Sequence, residues 1–227
     1  MTGQTGSGKS VFGHSIIASM LYFLNTYGGV KLLLVDMKRV EFPMYNGLPY
    51  LLAKPLFDVK DVLIQLELLV KEQEVRLGRL KQKRIGDIEE YHRQYPQERL
   101  PYIVVLIDTF SDIMCSEPKR FEELINKLTD SSVKVGIHVV MWDSRPSVDV
   151  YTPLILSSFP TKICFATASV SDSKVIINSP GGTKLSGRGD MLLLKENQEY
   201  PIRLQASFIS DKEIEAIIDC KNKIHKT

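Results

Sequence analysis

The chain has little that would mark it as secreted, metal-clustered or membrane-embedded. Its three cysteines, Cys115, Cys164 and Cys220, are odd in number and far apart, with no Cys-x-x-Cys pair. That excludes a disulfide framework and a thiolate metal knuckle, and it suits a reducing compartment. No signal peptide is visible, and the most apolar stretch, Ile16 to Leu24, is too short to span a bilayer. The segment is therefore expected to be cytoplasmic with no membrane contact of its own. Charge is nearly balanced, 29 Lys and Arg against 27 Asp and Glu, so any basic patch for nucleic acid must be local. Repeats and low-complexity tracts are absent. What remains is an ordinary globular composition, 44% hydrophobic over 227 residues, enough for one sizeable core.

Against that plain background one stretch stands out. Gly3, Gln4, Thr5, Gly6, Ser7, Gly8, Lys9 and Ser10 spell a complete G-x-x-x-x-G-K-[ST] phosphate-binding loop. The three glycines let successive backbone N–H groups turn toward phosphate oxygens. Lys9 brings a point charge for the β- and γ-phosphates, and the Ser10 hydroxyl is a ligand for Mg²⁺. Val11, Ile16, Ile17, Met20, Leu21 and Leu24 follow at helical spacing, which sets the loop at a helix N-terminus. ATP and Mg²⁺ are the expected ligands. Only Met1 and Thr2 precede Gly3, so the strand that should feed the loop is expected to be absent.

Further along, Val30 to Val35 is a buried-strand run ending at Asp36, and Tyr102 to Ile107 is a second, ending at Asp108. A long amphipathic helix is predicted over 59–84 and another near 117–132. Strands follow at Gly136 to Trp142 and Lys162 to Ala166, with Pro146, Pro153 and Pro160 breaking the chain between them. A short helix at Ser171 to Ile177, an antiparallel pair at Met191 to Leu194 and Ile202 to Phe208, and a closing helix at Asp211 to Lys223 complete the pattern. Strands alternating with helices predict an α/β fold: a mostly parallel, doubly wound sheet with helices on both faces. Asp108, at the end of an apolar strand, is the second half of a nucleotide site, because a carboxylate held there can reach Mg²⁺.

These residues resemble the motor domain of the FtsK/SpoIIIE family of double-stranded DNA translocases. The resemblance runs through Leu34-Val35-Asp36-Met37-Lys38 with Glu41, Asn46 to Leu52, Glu72-Gln73-Glu74-Val75-Arg76, Leu100 to Val105, Arg145-Pro146-Ser147-Val148-Asp149-Val150, Asp172-Ser173-Lys174 and Gly187-Arg188-Gly189-Asp190-Met191-Leu192. It implies a RecA-like P-loop NTPase across residues 1–227, a hexameric ring hydrolysing ATP at subunit interfaces, and duplex DNA in a central pore. The family also implies a membrane-anchoring region upstream and a winged-helix reader downstream, neither of which is expected within these 227 residues. Without the strand ahead of the loop, the chain alone is expected as a monomer or a strand-swapped dimer rather than a ring. Arg145, Lys174 and Arg188 are the candidates for trans-acting cations from the matched motifs. Arg79, Lys81, Lys83 and Arg84 form a basic cluster that is either a solvated helix face or a DNA contact.

Two departures bear on catalysis. Where the family has D-E-L-A-D-L-M, this chain has Asp108-Thr109-Phe110-Ser111-Asp112-Ile113-Met114. A threonine takes the place of the glutamate that would polarise the attacking water, and it cannot usefully accept a proton. A-T-Q-R-P has become Trp142-Asp143-Ser144-Arg145-Pro146. A carboxylate has left one strand end and appeared on the next, so Asp143 is a candidate substitute base, and a weakened or silent site is the alternative. The expected function is an ATP-driven DNA-translocase motor with impaired hydrolysis. A non-hydrolysing regulatory nucleotide-binding module, or the ATPase of a secretion or conjugation apparatus, remains open.

Overall fold

The computed structural model describes residues 1–22 and 29–226, so Leu24 of the first helical pattern lies outside the described residues. In chain order the elements are α1 (Lys9–Tyr22), β1 (Val30–Asp36), α2 (Val59–Lys83), α3 (Ile88–Gln94), β2 (Tyr102–Asp108), α4 (Ser111–Ser116), α5 (Pro118–Ser131), β3 (Ile137–Trp142), α6 (Pro153–Ser158), β4 (Lys162–Phe165), α7 (Val170–Ile177), β5 (Asp190–Leu194), β6 (Ile202–Gln205) and α8 (Asp211–Lys226). β1, β2 and β3 form a parallel sheet in that order, and β4, β5 and β6 an antiparallel one.

Alternation along β1 and β2 explains why helices cover both faces. Leu33, Val35, Val105 and Ile107 enter one apolar cluster with residues of α2 and α5. Leu32, Leu34, Val104 and Leu106 enter another with Ile17 and Leu21 of α1 and Ile214 and Ile218 of α8. A strand buried on both sides must be apolar along nearly its whole length, which is the run seen in the sequence, interrupted in β1 only by Lys31, whose Nζ donates to Pro49 O at 3.2 Å. The free edge of β1 is covered by the segment around Tyr50 to Leu56. Leu52 N donates to Leu32 O at 2.8 Å and Leu56 N to Leu34 O at 2.9 Å.

Helix ends follow local chemistry. The Asp58 side chain accepts from Lys60 N at 2.9 Å to cap α2, and Ser210 and Glu213 exchange hydrogen bonds as a capping box before α8. The prolines do not all break structure: Pro153 opens α6, capped by Thr152, because the first helical position needs no N–H. Arg76 is 2% exposed. Its Nη1 donates to Pro101 O (2.8 Å) and Val135 O (2.9 Å), tying α2 to the segments that enter β2 and β3. Of the basic cluster, Lys83 pairs with Glu98 at 3.0 Å and lies over the Tyr95 ring.

The two sheets are joined by the two residues ahead of the loop. Thr2 bridges in parallel to Asp143 on one side and Cys164 on the other. Thr2 N donates to Ile163 O (3.0 Å), Phe165 N to Thr2 O (2.8 Å) and Asp143 N to Met1 O (3.3 Å). Met1 and Thr2 thus hold the end of a central strand position. Before them, a cavity of about 240 Å³ opens between β3 and β4, lined by apolar groups including Val139, Met141, Ile155 and Ile163. Val139 and Val140, on β3 at the edge of the parallel sheet, are only half-buried.

Candidate nucleotide site

At the C-terminal edge of the parallel sheet, the loop from Gly3 to Gly8 turns into α1. Gly8 has a φ of 104°, and an added Cβ would lie 2.5 Å from Gly189 N, so the loop backbone packs directly on the Gly187–Asp190 turn. Gly189 N also donates to Ser7 O at 2.8 Å. That turn is itself braced by Asp190, whose carboxylate pairs with Arg203 at 2.7 Å and accepts from Ser186 N. Arg203 first of all holds the Asp190 carboxyl down at about 2.

Thr5, Gly6, Gly8, Lys9, Ser10, Lys38, Glu41, Asp108, Thr109, Ser144 and Arg188 share one cavity of about 510 Å³. Among the described residues the Gly6 and Gly8 amides find no acceptor and the buried Ser7 Oγ has no partner. Lys9 is 5% exposed, with its Nζ gathered on Gly3 O (2.5 Å) and Gln4 O (3.0 Å). Burial lowers its pKa, and Asp108 and Asp143 oppose that shift. Donors without acceptors around a cationic group suit a polyphosphate.

Three neighbouring strands end in carboxylates, and their surroundings separate their roles. Asp36 is fully buried and accepts from the backbone of Lys38, Glu41 and Phe42 (3.1, 2.8 and 3.0 Å), which folds the turn after β1. Asp143 accepts from Ser111 N (2.9 Å) on one oxygen and from Ser144 N (2.7 Å) and Arg145 N on the other. It caps the turn into α4 and does not line the cavity, so the structure does not place it where a substitute base is needed. Among the described residues Asp108 accepts only from Thr109 Oγ1, at 3.0 Å on Oδ1, which leaves its second oxygen for a cation. Burial pushes its pKa up to about 6, and Glu41 and Asp36 add to the rise; a bound cation would reverse that. Among the described residues no group of three His, Cys, Asp or Glu could hold a metal. An ion here would be completed by phosphate and water oxygens, as Mg²⁺ accepts.

Thr109 sits at φ 56°, a left-handed conformation that is costly for a β-branched residue. Its N–H donates to Trp142 O at 2.9 Å, and its hydroxyl is turned back onto Asp108. Of the three cations singled out from motifs, Arg188 lines the chain's own cavity. Arg145 lines two adjoining depressions, and Lys174 is exposed on α7 away from both.

Glu41 acquires a chemical setting that motif matching alone does not supply. His14 Nε2 donates to its Oε2 at 3.1 Å, and His14 Nδ1 pairs with Tyr45 Oη at 2.8 Å. Its carboxylate also reaches the Ser10 hydroxyl, and the His14 hydrogen bond is the largest cause holding its pKa below the usual range. The legible signal is Ser10 and His14 four apart on α1, hence on one face.

The family model described as the FtsK/SpoIIIE family matches residues 1–148. The chain is 41% identical over 219 residues to "DNA translocase FtsK" of Caldanaerobacter subterraneus subsp. tengcongensis, covering 96% of this chain and 31% of that protein. It is 39% identical over 222 residues to "DNA translocase SftA" of Bacillus subtilis, covering 96% and 23%. It therefore spans about a third or less of the length of these relatives. The solved structure of the pCW3 conjugation coupling protein TcpA with ATPγS superposes with a TM-score of 0.86 at 24% identity, covering 99% of this chain and 63% of that one. The type VII secretion ATPase EccC of Thermomonospora curvata does so at 0.79 and 18%, covering 97% and 27%. At those identities the likeness establishes the fold, a P-loop ATPase fold.

Proposed function

The chain belongs to the FtsK/SpoIIIE family, and from that premise we propose that residues 1–227 are the ATP- and Mg²⁺-binding motor domain of a double-stranded DNA translocase. The observation that carries this reading is the convergence of unpaired loop amides, Lys9, Ser10 and Asp108 on one cavity. The triphosphate is held by the backbone of residues 3–10 and by Lys9, and Ser10 with Asp108 holds Mg²⁺, which supplies charge neutralisation. Hydrolysis is weakened because Thr109 has no carboxylate. The motor acts in the cytoplasm as part of a ring around duplex DNA, and Arg145 and Lys174 are the cations available to neighbouring subunits, while Arg188 faces the chain's own cavity. Among the described residues no helix is long and apolar enough to cross a membrane.

Thr109 also favours a second reading, a nucleotide-binding module that assembles with an active partner without hydrolysing ATP. Duplex binding in the presence of ATPγS separates the possibilities. The motor reading expects retention of DNA with an affinity that falls steeply as salt rises, through release of phosphate counterions. Tight ATPγS binding with no duplex binding at low salt would contradict it and favour the module.

A further inference from the structure

The nucleotide cavity still needs a group to act on water, and its four nearby carboxylates do not compete equally. Both oxygens of Asp36 and both of Asp143 are spent on backbone amides. Asp108 lies at the expected cation position, and the Thr109 hydroxyl is directed at it. Glu41 remains. It lines the same cavity as Lys9, Ser10 and Asp108, and its side chain is 26% exposed, open enough to meet solvent.

Its position is built rather than incidental. Glu41 N is pinned to the buried Asp36 carboxylate at 2.8 Å, so the backbone after β1 is fixed. From the other side His14 holds one carboxylate oxygen, and Tyr45, itself 1% exposed, holds His14. The His14 and Tyr45 rings stack at 5.7 Å. A carboxylate fixed by its own backbone and by a braced imidazole has few rotamers left to lose on acting, which is what orienting a reactant requires.

We propose that Glu41 is the catalytic carboxylate of this site, standing in for the one absent at Thr109, with His14 as its positioning residue. This rests on the reading that the site hydrolyses ATP. Glu41 orients a water toward the γ-phosphorus. The water oxygen bonds to phosphorus as the bond to the bridging oxygen breaks, ADP leaves with that electron pair, and the water proton passes to Glu41. A positioned base contributes typically 10²–10⁴-fold.

The test is made on the full chain. Glu41→Gln should lower ATP turnover at least about 100-fold while ATPγS affinity stays within about threefold and the melting temperature is unchanged. Thr109→Glu in the same chain, returning a carboxylate to the end of β2, should restore at least about tenfold of the loss. Turnover by Glu41→Gln within about threefold of the unmodified chain overturns the assignment to Glu41 and leaves the hydrolysis reading standing. A parallel loss of ATPγS binding overturns it in favour of a packing role. An unmodified chain that binds ATPγS without turning over ATP overturns the hydrolysis reading, and the assignment with it.

Discussion

Replacing Lys9 with methionine lowers affinity for ATP by at least about 100-fold without harming the fold. Methionine nearly keeps the volume but removes the charge that the phosphates would draw from the Gly3 and Gln4 carbonyls. Charge-assisted hydrogen bonds contribute about 1.5–3 kcal/mol each, and two of them exceed the roughly 2.7 kcal/mol that corresponds to 100-fold. The folded protein itself loses little, because burial already disfavours the Lys9 ammonium. Titration with a fluorescent ATP analogue and a melting curve check both halves. An affinity loss under tenfold, or a collapse of the fold, would contradict this account of Lys9.

In a polypeptide made to begin at Met1, adding four extended apolar residues ahead of it raises the melting temperature by about 10 °C and tightens nucleotide binding. The cavity between β3 and β4 is apolar, and Met1 and Thr2 already set the parallel pairing on both sides. Three side chains buried at about 2 kcal/mol each and four backbone hydrogen bonds at about 1 kcal/mol each oppose about 1.5 kcal/mol per residue ordered. About 4 kcal/mol remains, worth about 2–4 °C each in a domain of this size. A segment of the same length made of Lys and Glu should give no rise. An apolar segment that leaves the melting temperature where it was would show that the cavity does not accept a strand.

Much of the scaffold was legible because its causes are local. β1 and β2 announce themselves as apolar runs closed by aspartate, and the glycines and Lys9 fix the loop. The short helices were not legible. Ile88–Gln94 and Ser111–Ser116 are too brief for a period to show, and Pro153 reads as a breaker until Thr152 is seen to cap it. The strand expected at Ile202 to Phe208 ends at Gln205, and Ala206 N carries the same register one step further onto Gly189 O, in the turn behind the loop. At the site, sequence could put carboxylates on adjacent strand ends but could not say where their oxygens point. Asp143 is drawn to the amides around α4, and Glu41 reaches the cavity only because Asp36 folds the turn beneath it.

ATP turnover by the unmodified chain, measured with and without duplex DNA at low salt, tests the central claim most directly. A weak basal rate that duplex stimulates several-fold, and that added salt suppresses, is the predicted result. Nucleotide binding with no turnover under either condition would contradict the motor, and the site would then serve as a bound-nucleotide switch.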